Sequence, residues 1–138
     1  MGYYRDIYKS WKDDHLKFWG KQAKAIAWGK KPKKILDDSN SPFYKWFPDG
    51  TLNTCYNAID RHVLSGRGEQ DAIIYDSPVT NTKKRITYSQ LQYQVSQFAG
   101  ALIKLGVIKG DRVIIYMPMI PEALVAMLAC ARIGAVHS

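Results

Sequence analysis

Few residues in this sequence have the type and spacing that could do chemistry. The three histidines, His15, His62 and His137, are too dispersed along the chain to predict a ligand set, and we expect them to have structural roles. Cys55 and Cys130 lack the CxxC and Cys/His spacings of zinc sites and disulfide frameworks. We therefore expect reduced, mostly buried thiols, no metal site and no redox chemistry.

Motifs that cradle phosphates or expose a nucleophile are absent from the sequence. It contains no GxxxxGKS/T loop, GxGxxG turn, GxSxG elbow or HExxH helix. Residues 66–69, Gly-Arg-Gly-Glu, superficially resemble a phosphate loop. Because they precede a predicted strand and do not join a strand to a helix, we interpret them as a surface turn without chemistry.

The net charge of +8 is uneven, since residues 1–50 hold 11 Lys and Arg against 6 Asp. Such a basic balance predicts an anionic partner, which could be nucleic acid, an anionic membrane surface or a phosphate-rich small molecule. The densest run, residues 30–34, is Lys-Lys-Pro-Lys-Lys. No aromatic residues interleave these lysines as a stacking groove requires, which favours a solvated loop. A stand-alone basic module for nucleic acid or another polyanion stays open as the alternative.

Length and composition predict one modest globular domain. The chain has 138 residues, of which 46% are hydrophobic and 23% charged, enough to form a packed core. The longest weakly polar run, residues 117–131, is interrupted by prolines and Glu122 and is too short to span a membrane. The amino terminus resembles neither a signal peptide nor a transit peptide, so we expect a cytoplasmic protein.

The first third of the chain predicts a helix followed by an extended segment. Ser10 with Asp13 and Asp14 indicates a helix start, and Gly29 indicates its end. One face of this helix follows spacings of three and four and comprises Trp11, His15, Phe18, Trp19, Gln22, Ala23 and Ile26. Residues 30–58 show no sustained period. We expect this third to wrap another body as a cap, with all four tryptophans largely buried: Trp11, Trp19, Trp28 and Trp46.

The remainder predicts alternating strands and helices. Residues 71–75 and 85–87 indicate a hairpin, and Thr87 with Gln90 has the capping-box pattern of a helix start. The expected buried stripe of that helix is Leu91, Val95, Phe98, Leu102 and Leu105. An apolar strand at 112–117, a helix from Pro121 to Gly134 and a strand from 135 follow. This order predicts an α/β fold whose parallel sheet is incomplete within these residues.

Four stretches of the sequence carry a family resemblance. Residues 36–47, 52–62, 116–123 and 127–138 closely resemble the N-terminal part of short-chain acyl-CoA synthetases, and together they sample almost the whole chain. Within that family, Asn-Thr-Cys-Tyr-Asn-Ala-Ile-Asp-Arg-His at 53–62 and Tyr-Asp-Ser-Pro-Val-Thr at 75–80 look more like the propionyl-CoA than the acetyl-CoA synthetases.

The resemblance implies an adenylate-forming enzyme. Such enzymes join a short carboxylate, here propionate or acetate, to ATP with loss of pyrophosphate and then pass the acyl group to CoA, with Mg²⁺ accompanying ATP. A basic enzyme suits these polyanionic substrates. The implied partners are the remainder of the synthetase chain and the carboxylate substrate, with no membrane and no nucleic acid. A truncated paralogue that regulates a full synthetase by docking on it is a further alternative.

The resemblance assigns no site residue to this chain. The family's phosphate loop, ribose-binding aspartate, acyl pocket and catalytic lysine would all lie beyond Ser138, so no catalytic, cofactor-binding or metal residue is predicted here. We expect a cap segment over residues 1–62 and the truncated start of an AMP-binding adenylation domain over residues 63–138. The 138 residues alone are expected to be inactive and to bind neither ATP, CoA nor Mg²⁺.

Overall fold

The computed structural model describes residues 2–138, which form two compact units. The first ends at Leu52 and the second is Asn53–Ser138. No helix in this range is long and apolar enough to cross a membrane. The division after residue 52 comes ten residues before the domain boundary that the sequence predicts after residue 62. That boundary stays a prediction.

The first unit begins with two helices where the sequence predicted one. Helix α1 is Gly2–Asp13 and helix α2 is His15–Gln22, followed by a 3₁₀ turn, Ala23–Ala25. They are separated at Asp14, whose backbone is non-helical (φ −155°, ψ 89°) and whose carboxylate accepts the backbone N–H of Lys17. Asp14 is therefore the N-cap of α2. The prediction of a start at Ser10 was wrong, because the Ser10 hydroxyl donates back to the Ile7 carbonyl inside α1.

A short antiparallel ribbon completes the first unit. Strand β1, Leu36–Asp37, pairs with β2, Lys45–Trp46, and Leu36 lies opposite Trp46. The expectation that all four tryptophans are largely buried was wrong: Trp28 comes nearest, since it is half-buried and donates its indole N–H to the Ala23 carbonyl. Trp11 and Trp19 are each 39% exposed and Trp46 is 44% exposed. The surface of two helices and two short strands in this unit is too small to cover four indoles.

The second unit contains the predicted hairpin, helix and βαβ order. A helical segment over residues 54–67 includes two π-helical stretches, Tyr56–Asp60 and Val63–Arg67. Strands β3, Asp71–Ser77, and β4, Thr82–Thr87, form the antiparallel hairpin. Helix α3, strand β5, helix α4 and strand β6 follow as Tyr88–Lys104, Arg112–Val113, Pro121–Ile133 and Val136–His137. Strand β6 runs parallel to β5, which confirms the α/β fold with an incomplete sheet.

The core of this unit lies between α3, α4 and the helical segment. It comprises Cys55, Ile59, Ile86, Leu91, Val95, Ala99, Leu102, Val125, Ala129, Cys130 and Ala135. Two predicted core residues are outside it, since Phe98 is 37% exposed and Leu105 is 81% exposed. The buried stripe of α3 passes through Ala99, and Phe98 borders a cavity of about 410 Å³ on the flank where α3 faces α4.

Candidate functional site

The ends of β5 and β6 form the edge at which an open α/β sheet binds its ligands. The Val136 N–H donates to the Asp111 carbonyl at 2.7 Å, and the Ser138 N–H donates to the Val113 carbonyl at 3.0 Å. Pairing continues past the regular strands, because the Ile115 N–H donates to the Ser138 carbonyl at 2.7 Å. Ligands of such sheets bind in the crevice outside the carboxyl ends of the strands. We call residues 114–117 and 138 the carboxyl edge.

The predicted strand over residues 112–117 was too long. The regular strand covers only Arg112–Val113. Beyond it, Ile115 is half-buried, whereas Ile114, Tyr116 and Met117 are 83%, 100% and 47% exposed. The run was expected to be covered on both faces, but it is covered on one: Val113 packs against the core and Ile115 is half-buried, whereas Ile114 and Tyr116 on the other face are open. This edge therefore presents apolar side chains, one phenol and backbone groups.

Helix α4 starts directly after this edge. Pro121 occupies its first turn with Glu122, and Ile120 at the N-cap has no side chain that could accept a backbone N–H. His137, the last residue of β6, is exposed and pairs in register with Val113. The carboxyl edge and its neighbour His137 thus offer one imidazole, one phenol and the Ser138 hydroxyl. They offer no lysine, arginine or carboxylate.

Behind this edge, the carboxyl end of α4 carries a half-buried ion pair. Arg132 Nη2 lies 3.0 Å from both oxygens of Asp60, which also accepts the side-chain amide of Gln92 at 2.7 Å. The side chains are 25% exposed for Arg132 and 13% for Asp60. Cys55 is fully buried, and desolvation raises the pKa of its thiol against the opposing charge of Arg132. Sequence reasoning missed this pair, because no local spacing links residues 72 positions apart.

The Gly-Arg-Gly-Glu segment is a turn only in its second half, since Gly66 and Arg67 end the helical segment and residues 68–69 form the predicted turn. Arg67 Nε donates to the Gln70 side-chain carbonyl at 2.7 Å, and its guanidinium lies 5.6 Å from the centre of the Tyr88 ring. His62 packs against the same ring and places Nδ1 3.1 Å from Arg67 Nη1. Desolvation and the nearby Arg67 and Arg61 lower the pKa of His62. These contacts bind Arg67 to its own chain and leave no phosphate-loop geometry.

The lysine run is folded against acidic side chains of its own unit. The Asp49 carboxylate accepts the backbone N–H groups of Lys33 and Lys34, and Lys34 Nζ donates to Asp37 at 2.8 Å. These hydrogen bonds lower the pKa of both carboxyls. His15 makes an edge-to-face contact with Trp46 at 6.5 Å. Over residues 2–138, no group of three or more His, Cys, Asp or Glu could hold a metal ion.

Two family models match the chain. The model of the acetyl-coenzyme A synthetase N-terminus covers residues 4–58, and the model of the AMP-binding enzymes covers residues 60–138. Together they run through both compact units with one residue between them, and they confirm the resemblance seen in the sequence.

Known proteins of the same type are similar over almost the whole chain. A mitochondrial acyl-CoA synthetase short-chain family member 3 from Bos taurus is 57% identical over 137 residues, 99% of this chain and 20% of that protein. An acetyl-coenzyme A synthetase from Streptomyces coelicolor is 54% identical over 133 residues, 96% of this chain and 20% of that protein. The chain thus spans about one fifth of the length of these relatives.

The fold is also found in a solved synthetase. An acetoacetyl-CoA synthetase from Streptomyces lividans superposes with a TM-score of 0.81 at 32% identity, over 94% of this chain and 20% of that one. The sequence resemblance, the family models and the fold all indicate an acyl-CoA synthetase. The chain therefore belongs to the AMP-binding enzymes and corresponds to the N-terminal part of a short-chain acyl-CoA synthetase.

Proposed function

We propose that this chain is part of a ligase that joins propionate or acetate to ATP as an acyl-adenylate, with release of pyrophosphate, and then transfers the acyl group to CoA, with release of AMP. The observation that carries the proposal is that the two family models match consecutive parts of the chain, residues 4–58 and residues 60–138. The net charge of +8 supports it, because ATP, pyrophosphate and CoA are polyanions.

The contribution of these residues to the reaction is positional. The carboxyl edge has no cation for a triphosphate and no carboxylate for Mg²⁺, and the described part of the chain contains no metal-ligand cluster. Its side chains therefore do not fit Mg²⁺ or carry the phosphate chemistry. They supply two paired parallel strands and the start of α4, against which a nucleotide-binding crevice is built.

We further propose that the 138 residues alone do not catalyse carboxylate activation. Carboxylate-dependent exchange of labelled pyrophosphate into ATP tests this with two proteins side by side: the isolated chain and the longer protein that contains it. The longer protein should exchange label with propionate and acetate, whereas the isolated chain should stay at the buffer blank. Exchange by the isolated chain would overturn the proposal.

Substrate preference is proposed on narrower grounds. The sequences at residues 53–62 and 75–80 look more like those of propionyl-CoA synthetases and so favour propionate. The relatives include both a short-chain family member 3 and acetyl-coenzyme A synthetases. The ratio of kcat/KM for propionate to that for acetate in the longer protein decides between them. A ratio above one supports the propionyl branch, and a ratio below one assigns the acetyl branch.

Two alternatives from the sequence receive less support. A polyanion-binding module rests on the charge of the lysine run alone, in which the Lys34 ammonium is paired with Asp37 and Lys33 meets Asp49 only through its backbone N–H. A steep salt dependence of binding to duplex DNA would favour that module. A regulatory docking role needs co-purification of the isolated chain with a full synthetase, and the absence of such a complex would exclude it.

The working compartment is a separate proposal. We propose the cytoplasm as the working compartment, whereas several similar proteins are described as mitochondrial. Fractionation of cells that express the longer protein with a carboxyl-terminal tag distinguishes the two compartments. Recovery with the mitochondrial matrix would overturn the cytoplasmic assignment.

A further inference from the structure

The last turn of α4 is held by groups from two other elements of the second unit. Asn53 Nδ2 donates to the backbone carbonyl of Arg132 at 2.9 Å. The guanidinium of Arg132 binds Asp60 in the helical segment, and Asp60 in turn accepts Gln92 of α3. Arg132 is therefore fixed through its main chain and through its side chain at the same time.

The burial of this pair distinguishes it from the other ion pairs of the chain. Asp60 and Arg132 are 13% and 25% exposed, whereas the lysine or arginine of each of the other three described pairs is more than half exposed. Arg132 Nε is also buried and has no hydrogen-bond partner among residues 2–138. A buried pair with an unmet donor adds little net stability, but removing one partner leaves an uncompensated charge. The main effect of the Asp60–Arg132 pair is thus to constrain the position of the last turn of α4.

The position that it constrains is the entry into β6. Two residues after Arg132, Gly134 ends α4 in the left-handed conformation (φ 78°), and its carbonyl accepts the Gly110 N–H at 3.0 Å. Strand β6 then starts at Val136 and reaches the carboxyl edge at Ser138. Few backbone torsions separate Arg132 from β6, so a shift of this turn is transmitted directly to the strand.

We propose that Asn53, Asp60 and Gln92 form a latch on Arg132, and that Asp60 and Arg132 are positioning residues for the carboxyl edge. The latch acts through α4 and β6 and does not touch substrate. This inference rests on the proposed function for its catalytic consequence only. Its structural consequence, the closure of the helical segment onto α4, stands independently.

The buried thiols report whether the latch is closed. Cys55 and Cys130 are both fully buried, and Cys55 shares the electrostatic environment of Asp60 and Arg132. In the longer protein, iodoacetamide labelling of each thiol is followed by site-resolved mass spectrometry. Asp60→Asn should raise the labelling rate of Cys55 roughly tenfold or more, because local opening exposes it. Unchanged protection of Cys55 in a folded Asp60→Asn protein would overturn the latch.

Two further variants serve as a control and as a replacement in the labelling test. Asp71→Asn removes a carboxylate that pairs with the exposed Arg85 on the hairpin, and it should leave the labelling of Cys55 unchanged. If Asp60→Asn does not fold, Asn53→Asp carries the test. It retains a side-chain oxygen for the Tyr56 N–H that Asn53 now accepts at 2.9 Å, and it replaces the donor to the Arg132 carbonyl by a charged carboxylate oxygen. Faster labelling of Cys55 supports the latch, and unchanged labelling overturns it.

The kinetic arm separates positioning from simple loss of folded protein. Pyrophosphate exchange by Asp60→Asn should show kcat lowered about 10- to 100-fold with the KM for ATP within about threefold, since misplacement affects the reacting geometry more than ground-state binding. Asp60→Glu, which restores the carboxylate, should recover part of kcat. A kcat that falls only in proportion to the folded fraction, or does not fall, overturns the positioning role. If the unsubstituted protein exchanges no label, the proposed function fails while Cys55 labelling still decides the latch.

Discussion

Thr87 and Gln90 exchange hydrogen bonds at the start of α3. The Gln90 N–H donates to the Thr87 hydroxyl oxygen at 3.3 Å, and the Thr87 N–H donates to the Gln90 side-chain carbonyl at 3.0 Å. Both bonds of the capping box are present, as the sequence pattern predicted. The box ends strand β4 and begins α3 without an intervening loop, so it links the hairpin to the central helix of the second unit.

The first prediction is that Thr87→Ala lowers the free energy of unfolding by about 0.5–2 kcal/mol, because one backbone N–H at the helix start loses its acceptor. Denaturant unfolding followed by circular dichroism measures it. Thr80→Ala, in the exposed turn of the hairpin, is the matched control and should change stability by less than about 0.5 kcal/mol. Equal effects of the two substitutions would show that the capping box does not stabilise α3.

Features governed by neighbouring residues could be predicted from the sequence. The capping box, the hairpin and the end of α4 at Gly134 depend on a few consecutive residues, and all three are confirmed. Features that depend on tertiary packing could not. The apolar spacing of α3 is compatible with either Phe98 or Ala99 in the core. Packing against α4 decides between them, and the smaller residue is the buried one.

The second prediction follows from that selection. Leu91 is 3% exposed in the core, whereas Phe98 is 37% exposed. Leu91→Ala should cost about 2–5 kcal/mol because a cavity forms in the core. Phe98→Ala, despite the larger side chain removed, should cost only about 1–2 kcal/mol because its lost area is partly solvated already. Urea unfolding midpoints at constant slope measure both costs. A larger cost for Phe98→Ala than for Leu91→Ala would show that Phe98 lies on the buried face of α3, as the sequence predicted.

The candidate site shows the same limit of sequence reasoning. The strand, helix, strand order predicted where a carboxyl edge would lie, because parallel strands joined by a helix end at one side of a sheet. It could not predict that Asp60 meets Arg132, since the two residues are brought together only when the helical segment packs against α4. The resemblance supplied the family, and the structure supplied this contact.

The third prediction concerns acid stability in the first unit. Hydrogen bonds from Lys34 and Ser39 lower the pKa of Asp37 from 3.8 to about 2. A lowered folded-state pKa means that the ionised carboxylate stabilises the fold above pH 3.8, and that this contribution is lost as the pH falls towards 2. Carbon-detected NMR titration of the Asp37 carboxyl measures the pKa directly.

A substitution identifies the cause of that shift. Lys34→Ala removes the partner with the largest influence on Asp37, so the midpoint should move up towards its ordinary value while Ser39 retains its own hydrogen bonds. Lys33→Ala is the matched control, because only the backbone N–H of Lys33 is engaged, by Asp49. An Asp37 midpoint that is equal in the two variants would show that the Lys34 ammonium does not hold the carboxylate.

The last prediction is that the isolated chain binds a hydrophobic dye and self-associates through the carboxyl edge. Ile114 and Tyr116 are 83% and 100% exposed, and nearby Met119 is 93% exposed, so large apolar side chains lie open to solvent at this end of the β5–β6 pair. Ile114→Lys should reduce dye fluorescence and shift sedimentation towards monomer without lowering the melting temperature. Leu64→Lys, at a residue 73% exposed in the helical segment, is the control and should do neither. A clean monomer without dye binding in the unsubstituted chain would mean that this edge is not an interaction surface, and would favour the self-contained polyanion-binding module instead.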